Sequence, residues 1–402
     1  FLKKEPGTKI DITIERPGMD ELLNFELTAQ EIQLSNIKYY GFYPENSSNA
    51  YIKLTSFSRS AGEEIKDVIM KLSGKREINS IVLDLRNNPG GLLDAAIDVC
   101  EKFLNAKSLI VSVKGRDDLN PRNYFAHEDP VAKNKKLVVL INENSASASE
   151  IVAGAIQDHD RGVILGQKSF GKGLVQTIVP LGLNRSLKLT TARYYTPSGR
   201  CIQKIDYAEN SNLFENHTTI EKGEFKTDNN RTVLPGGGII PDTTVSQNLG
   251  SKYIEELITR GVLFNFATLY FNKHNPNALS EIDIDAMFEE FKQFVKSSEN
   301  ELSTESDEEL ESLKKSLMEE FTSIEATSHL NEISRLLTEA KEKEMVQSKN
   351  VLVDKLLEEF AARISGRQGR IKESLKNDIQ LKVALDIVNN DSLYFNLLNL
   401  NN

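Results

Sequence analysis

The sequence predicts an α/β protein built on a largely parallel sheet, followed by a separate helical domain. Three observations carry that expectation. Short apolar runs at 80–85, 137–141 and 163–165 have the length and composition of strands buried on both faces. Segments of helical period alternate with them: 61–72 places Ile65, Val68, Ile69 and Leu72 on one face, and 92–104 repeats the pattern. Strand and helix in alternation imply parallel pairing. Beyond Lys252 strand signals fade, Gly and Pro thin out, and apolar residues take helical spacing.

Taken in order, the chain opens with Pro6-Gly7 and an alternating strand over 9–15, closed by Pro17-Gly18, with a second strand near 25–28. Two strands cannot bury a core alone, so 1–30 reads as the end of a small β domain. The chain starts Phe1-Leu2-Lys3 without an initiator methionine, which predicts a trimmed chain whose targeting segment lies outside it. Aromatic and β-branched residues over 37–58 (Tyr39, Tyr40, Phe42, Tyr51, Ile52, Leu54, Phe57) flank a turn at 44–49. Strands resume over 173–205, with a turn at Pro197-Ser198-Gly199. The polar stretch 206–232 reads as a loop or hairpin insertion, and the Pro- and Gly-rich 234–242 closes the unit. In the helical part Met287, Phe291, Phe294 and Val295 share one face, and Leu310, Leu313, Leu317, Phe321 and Ile324 share another. Glu and Lys fill many of the remaining positions, as on solvated faces of packed helices.

A chain of 402 residues predicts two or three domains. A net charge of -10 and the lack of a basic stripe with interleaved aromatics argue against nucleic acid as a partner. No apolar stretch approaches the ~20 residues a membrane-spanning helix needs. Cys100 and Cys201 read as unpaired thiols, a single disulfide being the alternative, and neither has the surroundings of a nucleophile. His, Cys and carboxylates do not cluster at ligand spacing, so neither a metal nor another cofactor is expected.

The chemistry concentrates in 138–176, which reads as strand, serine-rich turn, helix, strand and a lysine between two glycines. A Ser-His-Asp site is tested first. His159 lies at the far end of the helix, about 18 Å from the serines at 1.5 Å per residue, and His127, His217, His274 and His329 sit in polar or helical surface contexts. Lys172 is the better base. It would need burial to keep its amine neutral, and Gly171 and Gly173 keep bulk away from it. In an extended strand Lys172, Leu174 and Gln176 share a face, where Gln176 could orient the amine. Ser145, Ser147 and Ser149 all stand near the first helical turn, a place suited to stabilising an oxyanion. Helix capping with Glu150 as the partner is the competing reading, and spacing does not choose among the three. Arg86-Asn87-Asn88-Pro89-Gly90-Gly91 ends another buried strand, where ligand sites of α/β sheets gather; its glycines offer a second backbone donor.

LDLRNNPGG, then NENSASASEIVAGAIQD, then GQKSFGKGLVQ resemble, in order, the core of the C-terminal processing (tail-specific) peptidases, serine endopeptidases with a Ser/Lys dyad and a PDZ domain. The resemblance implies a crotonase/ClpP-like core over 31–250, a truncated PDZ remnant at 1–30 in KKEPGTKIDITIERPG, and a helical C-terminal domain at 251–402. It implies Ser147 as nucleophile, Lys172 as general base and Gln176 as its orienting residue. The oxyanion hole would be the N–H of Ala148 and of Gly90 (or Gly91), with Arg86 bracing the glycine turn. It implies cleavage of protein or peptide substrates with accessible C-termini, in the periplasm or envelope of a bacterium, without cofactor. A homodimer through the helical domain is a further expectation. The alternatives are a catalytically silent adaptor that keeps the fold, and an acyl-handling enzyme that would need neither Lys172 nor Gln176.

Overall fold

The computed structural model describes residues 4–400, apart from 20, 33, 116–120, 183–184, 205–222, 236, 247–249, 298–301 and 321–323. The first elements are β1 (Lys9–Ile14), β2 (Leu23–Thr28), β3 (Ile37–Phe42), β4 (Asn49–Leu54), α1 (Ala61–Ser73), β5 (Ser80–Asp84), α2 (Leu93–Glu101), β6 (Leu109–Gly115) and β7 (Arg122–Phe125). There follow β8 (Lys136–Ile141), α3 (Ala148–Asp158), β9 (Val163–Gly166), β10 (Leu174–Gly182), β11 (Arg185–Tyr195), β12 (Phe225–Lys226), β13 (Thr232–Val233) and β14 (Thr243–Thr244). Helices complete the chain: α4 (Lys252–Thr259), α5 (Val262–His274), α6 (Ile284–Lys296), α7 (Glu305–Glu320), α8 (Ile324–Gln347), α9 (Lys349–Ser374), α10 (Ile379–Asn389) and α11 (Asp391–Leu397). The chain divides into two compact units, Leu34–Gln247 with Asp378–Asn402, and Phe1–Gln33 with Asn248–Asn377.

The first unit is built on a six-stranded sheet ordered β14-β9-β8-β5-β4-β3, parallel except for the edge pair β3/β4. Helices on both faces bury the central strands, and every residue of β5 is buried. Helices α1, α2 and α3 pack in a layer over one face. Every residue of α3 is buried, which its run of small residues permits: a Cβ on Gly154 would stand 2.7 Å from Thr196 Cγ2. Helix α10 covers the other face, burying Leu381, Ala384 and Val388 and packing on β5, β8 and β9. A second, antiparallel sheet runs β10-β11-β6-β7. In the stretch read as an insertion, 205–222 lies outside the described residues, and β12 and β13 form a hairpin beyond it.

The second unit holds the antiparallel pair β1/β2 and helices α4 to α9. Its core gathers Phe266, Met287, Phe291, Leu352, Leu356 and Phe360. The helical stretch expected over 251–402 therefore does not remain one body. Asp378–Asn402 joins the sheet unit because α10 presents an apolar face to the sheet and Asp378 pairs with Arg86 there. The face drawn from Leu310 to Ile324 is divided between α7 and α8; Leu310 is buried but Leu313 is exposed, and Phe321 lies outside the described residues. Neither Cys100 nor Cys201 is in a disulfide, and Cys100 is buried in the sheet unit's core. No helix of the described residues is long and apolar enough to cross a membrane.

Candidate active site

Two adjacent parallel strands, β5 and β8, end side by side, and the turns that leave them are stitched together. Asn142 accepts the N–H of Asn87 at 2.8 Å and donates back to Asn87 Oδ1 at 2.9 Å. The three serines then separate by what their hydroxyls do. Ser145, fully buried, donates to Leu85 O at 2.9 Å, and Ser149, also fully buried, donates to Asn88 O at 2.9 Å. Both tie the serine turn to the glycine turn. Ser147 stands between them, half-buried, as the N-cap of α3. Its backbone lies at φ 54° and ψ -112°, a conformation that costs a non-glycine residue about 1–3 kcal/mol and persists only where the surroundings impose it.

The glycine turn closes on this serine. A Cβ on Gly90 would lie 2.6 Å from Ala146 O, 2.8 Å from Ala148 N and 2.9 Å from Ser147 Cβ, and φ there is +98°. Only glycine fits. The Gly90 N–H donates to Asn88 Oδ1 at 2.9 Å. Among the described residues the N–H of Ala148, in the first turn of α3, and that of Gly91 have no hydrogen-bond acceptor. Of the two glycines expected as second donor, Gly90 is bonded to Asn88, and Gly91 has the available N–H.

Glu150 joins this turn to the lysine loop. Its carboxylate is fully buried and accepts four hydrogen bonds. Oε1 takes Ser169 Oγ at 2.6 Å and Gly171 N at 2.7 Å, while Oε2 takes Ser147 N and Lys172 N, each at 2.8 Å. The backbone nitrogens of Ser147 and Lys172 therefore lie no farther apart than twice that last distance. Burial pushes the Glu150 pKa up, and the four donors only partly offset it. The sequence shows Glu150 as a capping partner of its own helix. That the loop 169–172 reaches the same carboxylate has no signature in the sequence.

Lys172 itself departs from the expected burial. Gly171 and Gly173 are buried, but the Lys172 side chain is exposed and projects into an open cleft. The cleft has a volume of about 1880 Å³, and Lys172, Leu174 and Gln176 line it together. Lys172 precedes β10, within which Leu174 and Gln176 lie two positions apart on one face; the register shift between Val175 and Gln176 places its extra residue, Thr191, on β11. His159 caps the opposite end of α3, bonded to Asp228 and to Leu109 O.

Behind the glycine turn lies a buried charge network. Arg86 Nε donates to Asp84 Oδ1 at 3.0 Å and Nη2 to Asp84 Oδ2 at 2.7 Å. Nη2 also reaches Asp378 Oδ2 at 2.6 Å, and Nη1 donates to Asp378 Oδ1 at 3.0 Å and Gln380 Oε1 at 2.9 Å. All five guanidinium protons are thereby used. Tyr51 and Lys53 also donate to Asp84 Oδ2. Burial alone would raise the Asp84 pKa; the charges of Arg86 and Lys53 and the hydrogen bonds more than offset it and hold the carboxyl below the usual range.

Comparison with known proteins agrees with this architecture. Residues 48–211 match the model of peptidase family S41, and residues 253–388 match that of the C-terminal helical domain of probable PDZ-proteases. A carboxy-terminal-processing protease of Bartonella bacilliformis is 45% identical over 258 residues, covering 63% of this chain and 51% of the relative. A carboxyl-terminal-processing protease of Synechocystis sp. is 36% identical over 200 residues, 50% of this chain and 46% of the relative. Among solved structures, a photosystem II D1 C-terminal processing protease is 26% identical with a TM-score of 0.41, over 61% of this chain and 58% of that one. The chain spans about half the length of the curated relatives it matches. The segment 48–211, which matches the model of peptidase family S41, holds the serine turn, the glycine turn and the lysine loop.

Proposed function

We propose that this chain is a serine endopeptidase that cuts protein substrates near their C-termini through an acyl-enzyme, with Ser147 as nucleophile and Lys172 as general base. One observation carries the reading. Of the three serines, two spend their hydroxyls on the glycine turn, and the third is half-exposed with its backbone tied through one Glu150 oxygen to that of Lys172. Neutral Lys172 takes the Ser147 proton as Oγ attacks the scissile carbonyl. The tetrahedral oxyanion accepts from the N–H of Ala148 and Gly91. Collapse breaks the C–N bond, the lysine returns the proton to the leaving amine, and water, deprotonated by Lys172, hydrolyses the ester. A polypeptide seated in the cleft would strip water from the exposed Lys172 amine, supplying the burial the free protein lacks. Gln176, on the same cleft wall, orients the amine. Strands β1 and β2 are read as the last strands of a PDZ domain, and the envelope or periplasm of a bacterium is read as the place of action, a reading supported by the likeness to a bacterial carboxy-terminal-processing protease.

The test is cleavage of an unfolded protein, with products identified by mass. Ser147→Ala and Lys172→Ala are each expected to abolish it while the circular dichroism spectrum is unchanged; undiminished cleavage in either variant refutes the dyad. No cleavage by the unmodified protein would favour the adaptor reading.

A further inference from the structure

The chain carries a net charge of -10, yet the described lining of its cleft is the reverse. Lys114, Lys168, Arg193 and Lys204 line it beside Lys172, against the single acidic lining residue Glu143. These cations come from four separate places: β6, the loop after β9, β11 and the segment after Cys201. One amphipathic face of one element does not explain them. Lys168 and Lys204 are both exposed. Burial, and the like charge of Lys204, lower the Lys168 pKa, so the two ammonium groups feel one another. Among the described residues neither Lys114 nor Lys204 is in an ion pair; Lys114 lies instead 4.4 Å from the centroid of the Tyr195 ring. Like charges crowded on one concave surface repel and oppose folding, so a role in binding an anion accounts for them better than stability does.

We propose that the cleft selects polypeptide segments bearing carboxylates, which Lys168, Lys204, Arg193 and Lys114 hold while the chain lies across the serine. The proposal rests on the peptidase reading of the same cleft and names the class of substrate it takes. Carboxylates can come from Asp and Glu side chains or from the substrate's own C-terminus. Either would pair with the cations in a partly screened setting, worth about two- to fivefold per pair. A concave, like-charged wall also raises the local concentration of an anionic chain.

The experiment uses the whole chain and three fluorogenic peptides with a common centre and flanks of glutamate, glutamine or lysine, each with a free or an amidated C-terminus. We expect kcat/KM for the glutamate peptide to exceed that for the lysine peptide by about tenfold or more at 50 mM salt, falling at 500 mM as screening shortens the reach of the cations. The double variant Lys168→Gln/Lys204→Gln should weaken the preference, since Lys114 and Arg193 remain, and Lys168→Glu/Lys204→Glu, which balances the lining charges, should abolish it. Both should retain the unmodified protein's rate of labelling by a small uncharged fluorophosphonate. Loss of activity on amidation alone would assign the main-chain carboxylate, and loss on removing glutamate would assign side chains. Equal kcat/KM for glutamate and lysine peptides overturns the proposal. If no peptide is cleaved and no fluorophosphonate bound, the peptidase reading fails instead, and fluorescence anisotropy of the same peptides decides the charge question: tighter binding of the glutamate peptide, reduced in the variants, upholds it, and equal binding refutes it.

Discussion

Replacing Asp378 by alanine tests whether the C-terminal segment is part of the sheet unit's framework. Asp378 lies 292 residues from Arg86 in sequence and takes two of its five hydrogen bonds, while also capping α10 through the N–H of Leu381. The side chains of Arg86, Asp84 and Asp378 are 9%, 0% and 8% exposed, so the pair is not a surface one. With Lys53 included, two cations face two carboxylates. Asp378→Ala leaves one positive charge in excess and two guanidinium N–H bonds without acceptors. Removing one partner of a buried pair costs about 3–5 kcal/mol, most of it the penalty of the charge left behind. The lost cap contributes about 1 kcal/mol more, and Asp84 still holds two of the guanidinium protons, so the lower half of that range is the expectation. Asp378→Asn keeps one acceptor and the cap and should cost less. Cys100 provides a reporter inside this unit, since its thiol is fully buried in the core. In a Cys201→Ser background, urea should expose it to a thiol reagent at a midpoint about 1–2 M lower for Asp378→Ala, taking a slope of about 2–3 kcal/mol/M. A shift under about 0.3 M would refute the reasoning, because a buried, five-bonded guanidinium cannot lose its outer partner at surface-pair cost.

Four further outcomes follow from the structure. Glu150→Gln puts an NH2 group where a carboxylate oxygen accepts two hydrogen bonds, so either the Ser147 and Lys172 amides or the Ser169 hydroxyl and Gly171 amide face a donor. Each mismatch costs about 1–3 kcal/mol, and peptidase activity should fall at least about tenfold. The pH profile is checked on the unmodified protein. Glu150 has a raised pKa, so the folded state binds its proton more readily than the unfolded chain does. Its protonation therefore does not unfold the protein, and activity should fade at a pH above the ordinary glutamate range while the structure, followed by circular dichroism, persists. Asp84 acts with the opposite sign: its depressed pKa gives stability that is present above the unfolded carboxylate value and lost as pH falls below it, so acid unfolding should set in below about pH 4. Gly90→Ala forces a Cβ against Ala146 O and Ser147 Cβ at positive φ; fluorophosphonate labelling should slow by at least about tenfold, and labelling at the normal rate would show that the turn is not close-fitting.

What the sequence shows and what it withholds divide along one line: how far a residue's partners lie from it in the chain. Strands β5, β8 and β9 are legible because burial on both faces is written locally, as unbroken apolar runs. The serine, glycine and lysine blocks are legible for the same reason, since each packs its turn chemistry into a few adjacent residues. Spacing could not separate Ser145, Ser147 and Ser149, however, because what distinguishes them is the glycine turn some sixty positions away that takes two of their hydroxyls. Glu150 shows the same limit from the other side. Its capping role is local and visible; its hold on Gly171 and Lys172 is not, although that hold aligns the two backbones the proposed chemistry needs. Arg86 was legible as a brace, but its counter-charge sits in a segment read as part of a separate helical domain. The deepest requirements of the site are therefore met by residues whose local sequence says only helix cap: Glu150 and Asp378 both look like ordinary N-terminal helix carboxylates, and both are placed where a helix end meets one of the site's turns. A carboxylate at a helix start is cheap to keep on capping grounds alone, which leaves its second oxygen or its outer face open to take on a tertiary partner without further cost to the helix.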